Sequence, residues 1–167
     1  NMAFVLRGEL EKLGLQDIQT DEHYILTATL PSNMGKSSKT VGLLAHYDTS
    51  PDAPASNIKP QIHDYKGGDI VLNGGTVISE KDLAPYKGQQ IITSDGTTLL
   101  GADDKAGVAE ILEAIRYFKE NPEEKRPTIR IAFTPDEETG MGVEKFNIEK
   151  FGADAAYTID GDVPDTI

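Results

Sequence analysis

The sequence predicts an α/β layered domain, with a largely parallel central sheet flanked by helices. Three stretches carry that expectation. "TVGLLAHYD" (40–48) is apolar at consecutive positions, as a strand buried on both faces of a sheet is. "TIRIAFTP" (128–135) puts Ile129, Ile131 and Phe133 on one face of a second strand, which Pro135 ends. Between them, residues 106–119 carry Val108, Ile111, Leu112, Ile115 and Phe118 at helical spacing.

The remaining elements come in order. "MAFVLRGELEKLGL" sets Phe4, Val5 (or Leu6), Leu10 and Leu13 near helical spacing, and Gly14 stops the helix. Nothing caps its start, so residues upstream are expected. "HYILTATLP" reads as a strand, closed by Pro31 and a polar loop through Lys39. Residues 51–62, "PDAPASNIKPQI", have loop chemistry. "GGDIVLNGGTVIS" and "QQIITSDGTTLLG" each read as a hairpin, with Asn73-Gly74 and Asp95-Gly96 as turn dipeptides. Pro122 and the charged "EEKRP" end the long helix. "AAYTID" is the last strand, and "GDVPDTI" has no periodicity.

Composition bounds the function. A chain of 167 residues, 38% hydrophobic and 26% charged, is one ordinary globular domain with room for a core. A net charge of -12 repels polyanions, which argues against nucleic acid and anionic membrane surfaces as partners. No apolar stretch approaches the ~20 residues that span a bilayer, and no charged-then-apolar leader opens the chain. The cytoplasm is the default location. With no cysteine there are no disulfides and no thiolate ligands, so a metal here must be held by oxygen and imidazole.

In open α/β sheets, ligands sit beyond the carboxyl ends of the strands. Three strands here end in His46 and Asp48, in Asp136-Glu137-Glu138, and in Asp160, while "GADDKAG" sets Asp103 and Asp104 in the turn that opens the long helix. Each has a plain reading: a surface His-x-Asp pair, a helix cap worth ~1 kcal/mol, a solvated turn, an acid at a strand end. Those readings are independent, and all four meeting at one rim argues against coincidence. Residues i and i+2 of a strand share a face, so Asp48 is able to accept from one ring nitrogen of His46 and leave the other free. Carboxylates crowded together push one another toward protonation, and a divalent cation removes that penalty. Oxygen donors with one imidazole and no sulfur suit zinc, manganese or cobalt. Two such ions need a bridging carboxylate, for which Asp103 is the natural candidate, and a carboxylate left over can act as a base.

The strings "HYDTSPD", "NIKPQI", "YKGGDIVL", "ITSDGTTLLGADDKAG", "RIAFTPDEETG" and "AYTIDG" together resemble the co-catalytic di-zinc exopeptidases related to aminoacylase and succinyl-diaminopimelate desuccinylase, over residues 40–161. Within that family the match is to members that act on tripeptides. The resemblance implies a zinc-exopeptidase-like (phosphorylase/hydrolase-like) layered fold. It implies a zinc aminopeptidase that releases the N-terminal residue of small peptides through a metal-bridged hydroxide. His46 and Asp160 would bind the first zinc, Asp103 would bridge both, and Glu138 would bind the second. Asp48 would orient and polarise His46, and Glu137 would be the general base. The Asp103–Asp104 bond would be cis, and Asp160 in place of glutamate points to an aminopeptidase.

Two departures qualify the match. The family's second zinc takes a distal histidine, which neither His23, in a helix-to-strand connection, nor His63 matches; both read as surface residues. The glycine-rich continuation after the last aspartate is also missing. The expectation is therefore a partial catalytic domain over 1–161, with a departing tail at 162–167 and no lid or C-terminal part. Such a chain is expected to have little activity alone, and a homodimer would belong to the full-length protein. Three rivals stay open: a calcium-capturing module using "DGDVPD", a glycosidase using Glu137 and Glu138, and a related di-zinc hydrolase of dipeptides or N-acyl amino acids.

Overall fold

The computed structural model describes residues 2–35 and 39–161. In chain order the first half contains α1 (Met2–Lys12), β1 (Gln16–Thr20), β2 (Leu26–Leu30), β3 (Thr40–His46), β4 (Gln61–Asp64), β5 (Ile70–Val71) and β6 (Val77–Ile78). The second half contains α2 (Glu80–Leu83), β7 (Gln90–Thr93), α3 (Ala102–Glu120), β8 (Thr128–Thr134), α4 (Ile148–Phe151) and β9 (Ala155–Thr158). The described residues form two compact units, one drawn from Asn1–Thr49 with Ala102–Ile167, the other Ser50–Gly101.

The larger unit is a five-stranded mixed sheet in the order β1-β2-β8-β3-β9. The β3/β8 and β3/β9 pairs are parallel, and β1/β2 and β2/β8 are antiparallel. On one face Ile129, Ile131 and Phe133 of β8 meet Leu6 and Leu10 of α1 and Val108, Ile111 and Ile115 of α3, all buried. Each such side chain taken fully from water contributes ~1.5–3 kcal/mol, so this face fixes the sheet against two helices. On the other face Phe151 of α4 packs over Gly42 and under the guanidinium of Arg130, 5.6 Å from the ring centroid. The edges are polar or open: β1 is "QDIQT", and all four residues of β9 are exposed.

The smaller unit holds two ribbons, β4/β7 and β5/β6, around Tyr65, Ile70 and Leu83. Its Asp95-Gly96 turn is held by the Asp95 carboxylate, which accepts from the Thr97 N–H and hydroxyl at 2.9 and 2.6 Å. Gly96 has φ 92°, and a side chain there would meet the Asn73 carbonyl at 2.5 Å. Among the described residues no helix is long and apolar enough to cross a membrane.

Several expectations are corrected. The buried face of α1 is Ala3, Leu6 and Leu10, while Phe4 and Val5 are about 60% exposed; the 3–4 spacing is satisfied by the first set, which turns Phe4 outward. "QQIITSDGTTLLG" is not a hairpin: β7 pairs back onto β4, with Ile62 opposite Ile92, so the end of the expected loop 51–62 is strand. "GGDIVLNGGTVIS" is a hairpin, but Leu72 donates to the Thr76 carbonyl across a longer turn than Asn73-Gly74 alone. β1, α2 and α4 were not expected. His23 lies between two strands, β1 and β2, rather than between a helix and a strand. The tail at 162–167, which carries four of the six residues of the calcium reading "DGDVPD", lies outside the described residues.

Candidate metal centre

Register brings the rim together. His46 ends β3 opposite Thr134, the last residue of β8, and Leu44 pairs with Thr158, the last of β9. The ladders run one step further, with Tyr47 donating to the Thr134 carbonyl at 3.0 Å and Ile159 to the Leu44 carbonyl at 2.8 Å. Residues just past the three parallel strand ends, Asp48, Asp136–Glu138 and Asp160, must therefore emerge at one level. α3 packs against β3 and delivers Asp103 and Asp104 from its opening turn, where both have non-helical dihedrals and their shared peptide bond is cis.

His46 is the centre. Its side chain is 2% exposed. Nδ1 lies 3.2 Å from Asp48 Oδ1, and Nε2 lies 2.9 Å from Asp103 Oδ1. Glu137 Oε2 and Asp160 Oδ2 each stand 3.7 Å from the same Nε2. Donor atoms of His46, Asp103 and Glu138 lie within 4.8 Å of one another, and so do those of His46, Asp104 and Asp160. All six residues singled out from the sequence, His46, Asp48, Asp103, Glu137, Glu138 and Asp160, thus gather at one place.

Asp48 does more than face the imidazole. Its carboxylate also accepts the backbone N–H groups of Glu137 and Glu138, at 3.3 and 3.2 Å. Asp136 enables this by adopting φ 65°, a left-handed conformation that aspartate tolerates better than most residues. The turn after β8 is thereby tied to the end of β3. Glu137 and Glu138 sit in that turn and not on the strand itself, so strand alternation does not govern where they point.

The electrostatics call for a cation. Burial lowers the His46 pKa, but the Asp103 carboxylate bonded to the ring, with Asp48, Asp104 and Asp160 beyond, outweighs burial and holds it above the ordinary value. Burial first, and the charge of Asp160 second, push Asp104 up to about 6. A field that favours the protonated form of both a buried imidazole and a neighbouring carboxyl favours a divalent ion at the same point as well. The donors are oxygen and imidazole without sulfur, which fits zinc, manganese or cobalt rather than a thiolate metal. Convergence, donor chemistry and charge all fit a metal.

The plain reading of Asp103 and Asp104 is a helix cap, and Asp104 does accept the Gly107 N–H at 3.1 Å. Its second bond, from the His46 backbone N–H at 3.2 Å, joins positions 58 apart in sequence and had no local signal. Of the other histidines, His23 is exposed, and His63 is half-buried with its Nε2 3.0 Å from the Thr93 hydroxyl.

Residues 76–166 match the peptidase family M20/M25/M40. The chain is 51% identical to a peptidase T of Geobacillus kaustophilus over 166 residues, which is 96% of this chain and 40% of that protein. It is 52% identical to a peptidase T of Halothermothrix orenii, with 95% and 40% covered. Among solved structures it resembles the aminopeptidase PepT of Bacillus cereus, with a TM-score of 0.74, 31% identity, and 98% of this chain and 38% of that one covered. A tripeptidase of Staphylococcus aureus gives a TM-score of 0.72 at 32% identity, with 97% and 38% covered. The chain spans about two-fifths of the length of these relatives.

Proposed function

The chain belongs to the peptidase family M20/M25/M40, and on that premise we propose that it carries the metal-binding half of an aminopeptidase that releases the N-terminal residue of tripeptides. The observation that carries this reading is the convergence of Asp103, Glu137 and Asp160 on one imidazole nitrogen of His46. The tripeptide class is supported by relatives named peptidase T and tripeptidase.

His46, Asp103, Glu138 and Asp160 are the residues that would hold the zinc. Zinc, when bound, supplies Lewis acidity to the scissile carbonyl and makes water easier to deprotonate. Asp48 orients His46 through Nδ1 and leaves Nε2 facing the ligating carboxylates. Glu137 Oε2, held beside Nε2 without a hydrogen bond to it, is the base. It takes a proton from the water that attacks the first peptide carbonyl, and returns it to the departing amine as the C–N bond breaks. The products are a free amino acid and a dipeptide. Small peptides are the partners on this reading, and the net charge of -12 disfavours polyanions.

The test uses the enzyme that contains this sequence. Glu137→Ala should abolish release of the N-terminal residue while leaving zinc content nearly unchanged. Loss of zinc would make Glu137 a ligand, and persistent turnover would remove it as the base. Faster hydrolysis of a dipeptide or an N-acyl amino acid than of a tripeptide would overturn the substrate class.

A further inference from the structure

Asp104 is the best-buried acid at the rim, with 3% of its surface exposed, and the metal assignment above leaves it without a role. Its two oxygens are each engaged by backbone: Oδ1 accepts from Gly107 at 3.1 Å and Oδ2 from His46 at 3.2 Å. The first bond caps the opening of α3. The second fastens the main chain of the residue whose imidazole centres the site. One side chain therefore bolts the end of β3 to the turn that presents Asp103.

The neighbouring residues are built to the same tolerance. Gly107 sits against Ile159, where an added Cβ would stand 1.9 Å from the Ile159 carbonyl oxygen and 2.6 Å from Asp104 Oδ1. Ile159 immediately precedes Asp160. The helix opening thus touches both the strand that holds His46 and the segment that holds Asp160, and Asp104 lies at the junction.

We propose that Asp104 is a positioning residue, which sets the distance between His46 and Asp103 by pinning the His46 backbone to the first turn of α3, and so fixes the metal-binding geometry without ligating the metal. The proposal rests on the metal-site reading above. A helix cap needs only the Gly107 bond; a positioning role needs the His46 bond as well. Serine separates the two, because its hydroxyl is a good N-cap acceptor but is too short and has too few oxygens to hold both N–H groups.

The experiment compares wild type, Asp104→Ser, Asp104→Asn and His46→Ala in the enzyme that contains this sequence. Zinc affinity is read by competition with a chromogenic chelator, folding by the cooperativity of urea unfolding, and site geometry by the visible bands of the cobalt form. Asp104→Ser should unfold cooperatively, bind zinc about 10–100-fold more weakly, the range seen when outer-shell partners are removed, and show shifted cobalt bands at saturation. Wild-type affinity and bands in Asp104→Ser would overturn the proposal, leaving a cap alone. Loss of binding as complete as in His46→Ala would make Asp104 a ligand and overturn it too. If Asp104→Ser does not unfold cooperatively, the isosteric Asp104→Asn decides by the same readings, since its amide can accept only one of the two N–H groups. Failure of wild type to bind zinc is a different result, and removes the metal-site reading itself.

Discussion

Replacing Asp48 with alanine removes three contacts at once. The carboxylate accepts the Glu137 and Glu138 N–H groups and faces His46 Nδ1, all between 3.2 and 3.3 Å. A hydrogen bond of this kind contributes ~1 kcal/mol net, which sets an upper figure of about 3 kcal/mol for the set. The distances are long for such bonds, and the side chain is 21% exposed, so water replaces part of what is lost. The expected destabilisation is about 2 kcal/mol, or a fall in Tm of roughly 4–8 °C for a chain of this size. Zinc affinity should fall independently by about 10–100-fold, because Nδ1 no longer has an acceptor to fix the ring. Urea unfolding of the metal-free chain measures the first effect, and chelator competition the second. Asp48→Asn should recover only part of each, since its amide group presents N–H to N–H on one side. If Asp48→Ala unfolds at the wild-type midpoint and keeps wild-type zinc affinity, the three contacts are not what holds the turn after β8 to β3.

Other outcomes rest on single features. Phe133 of β8 is fully buried in the core cluster, so Phe133→Ala should lower stability by about 3–5 kcal/mol, read by urea unfolding. Gly107→Ala places a Cβ within 1.9 Å of the Ile159 carbonyl; unfolding experiments should show a loss of at least ~1–3 kcal/mol, as overpacking typically gives. Burial, with Asp136, Asp48 and Asp21 adding to it, raises the Tyr47 phenol to about 12 from 10.0. The folded state then keeps a proton that the unfolded chain releases above pH 10, so this contribution is fully present below pH 10 and is lost as pH rises toward 12. Tyrosinate absorbance should show a group ionising near pH 12 that Tyr47→Phe removes.

How far the sequence could be read depended on whether a signal was local. His46 and Asp48 come after an apolar run, and Glu137 and Glu138 after a strand ended by proline, so strand-end chemistry was visible without knowing any contact. Parallel pairing then did the rest, because level strand ends put those acids at one rim. Pairing partners were not visible. β1 has one apolar residue, Ile18, and becomes a strand only because β2 offers it an edge. The Asp95-Gly96 turn is legible from its dipeptide, yet β7 before it pairs with the distant β4 and not with the segment on the other side of the turn. The rotation of α1 depends on which residues the sheet receives, so Phe4 was assigned inward when Ala3 and Leu6 fill that place. Asp104 shows both cases, a cap legible from the adjoining helix and a tether to His46 that no short window contains.

β9 is bonded to the sheet along one side and exposed along its whole length, and Asp160 hangs two residues beyond its end. Edge segments open at far lower free energy than the core they border. His46, on the interior β3, is anchored for as long as the unit stays folded, whereas the carboxylate of Asp160 facing it follows an edge strand. A metal gripped by both would act as a rivet on that margin, slowing amide exchange at residues 155–160 far more than anywhere along β8.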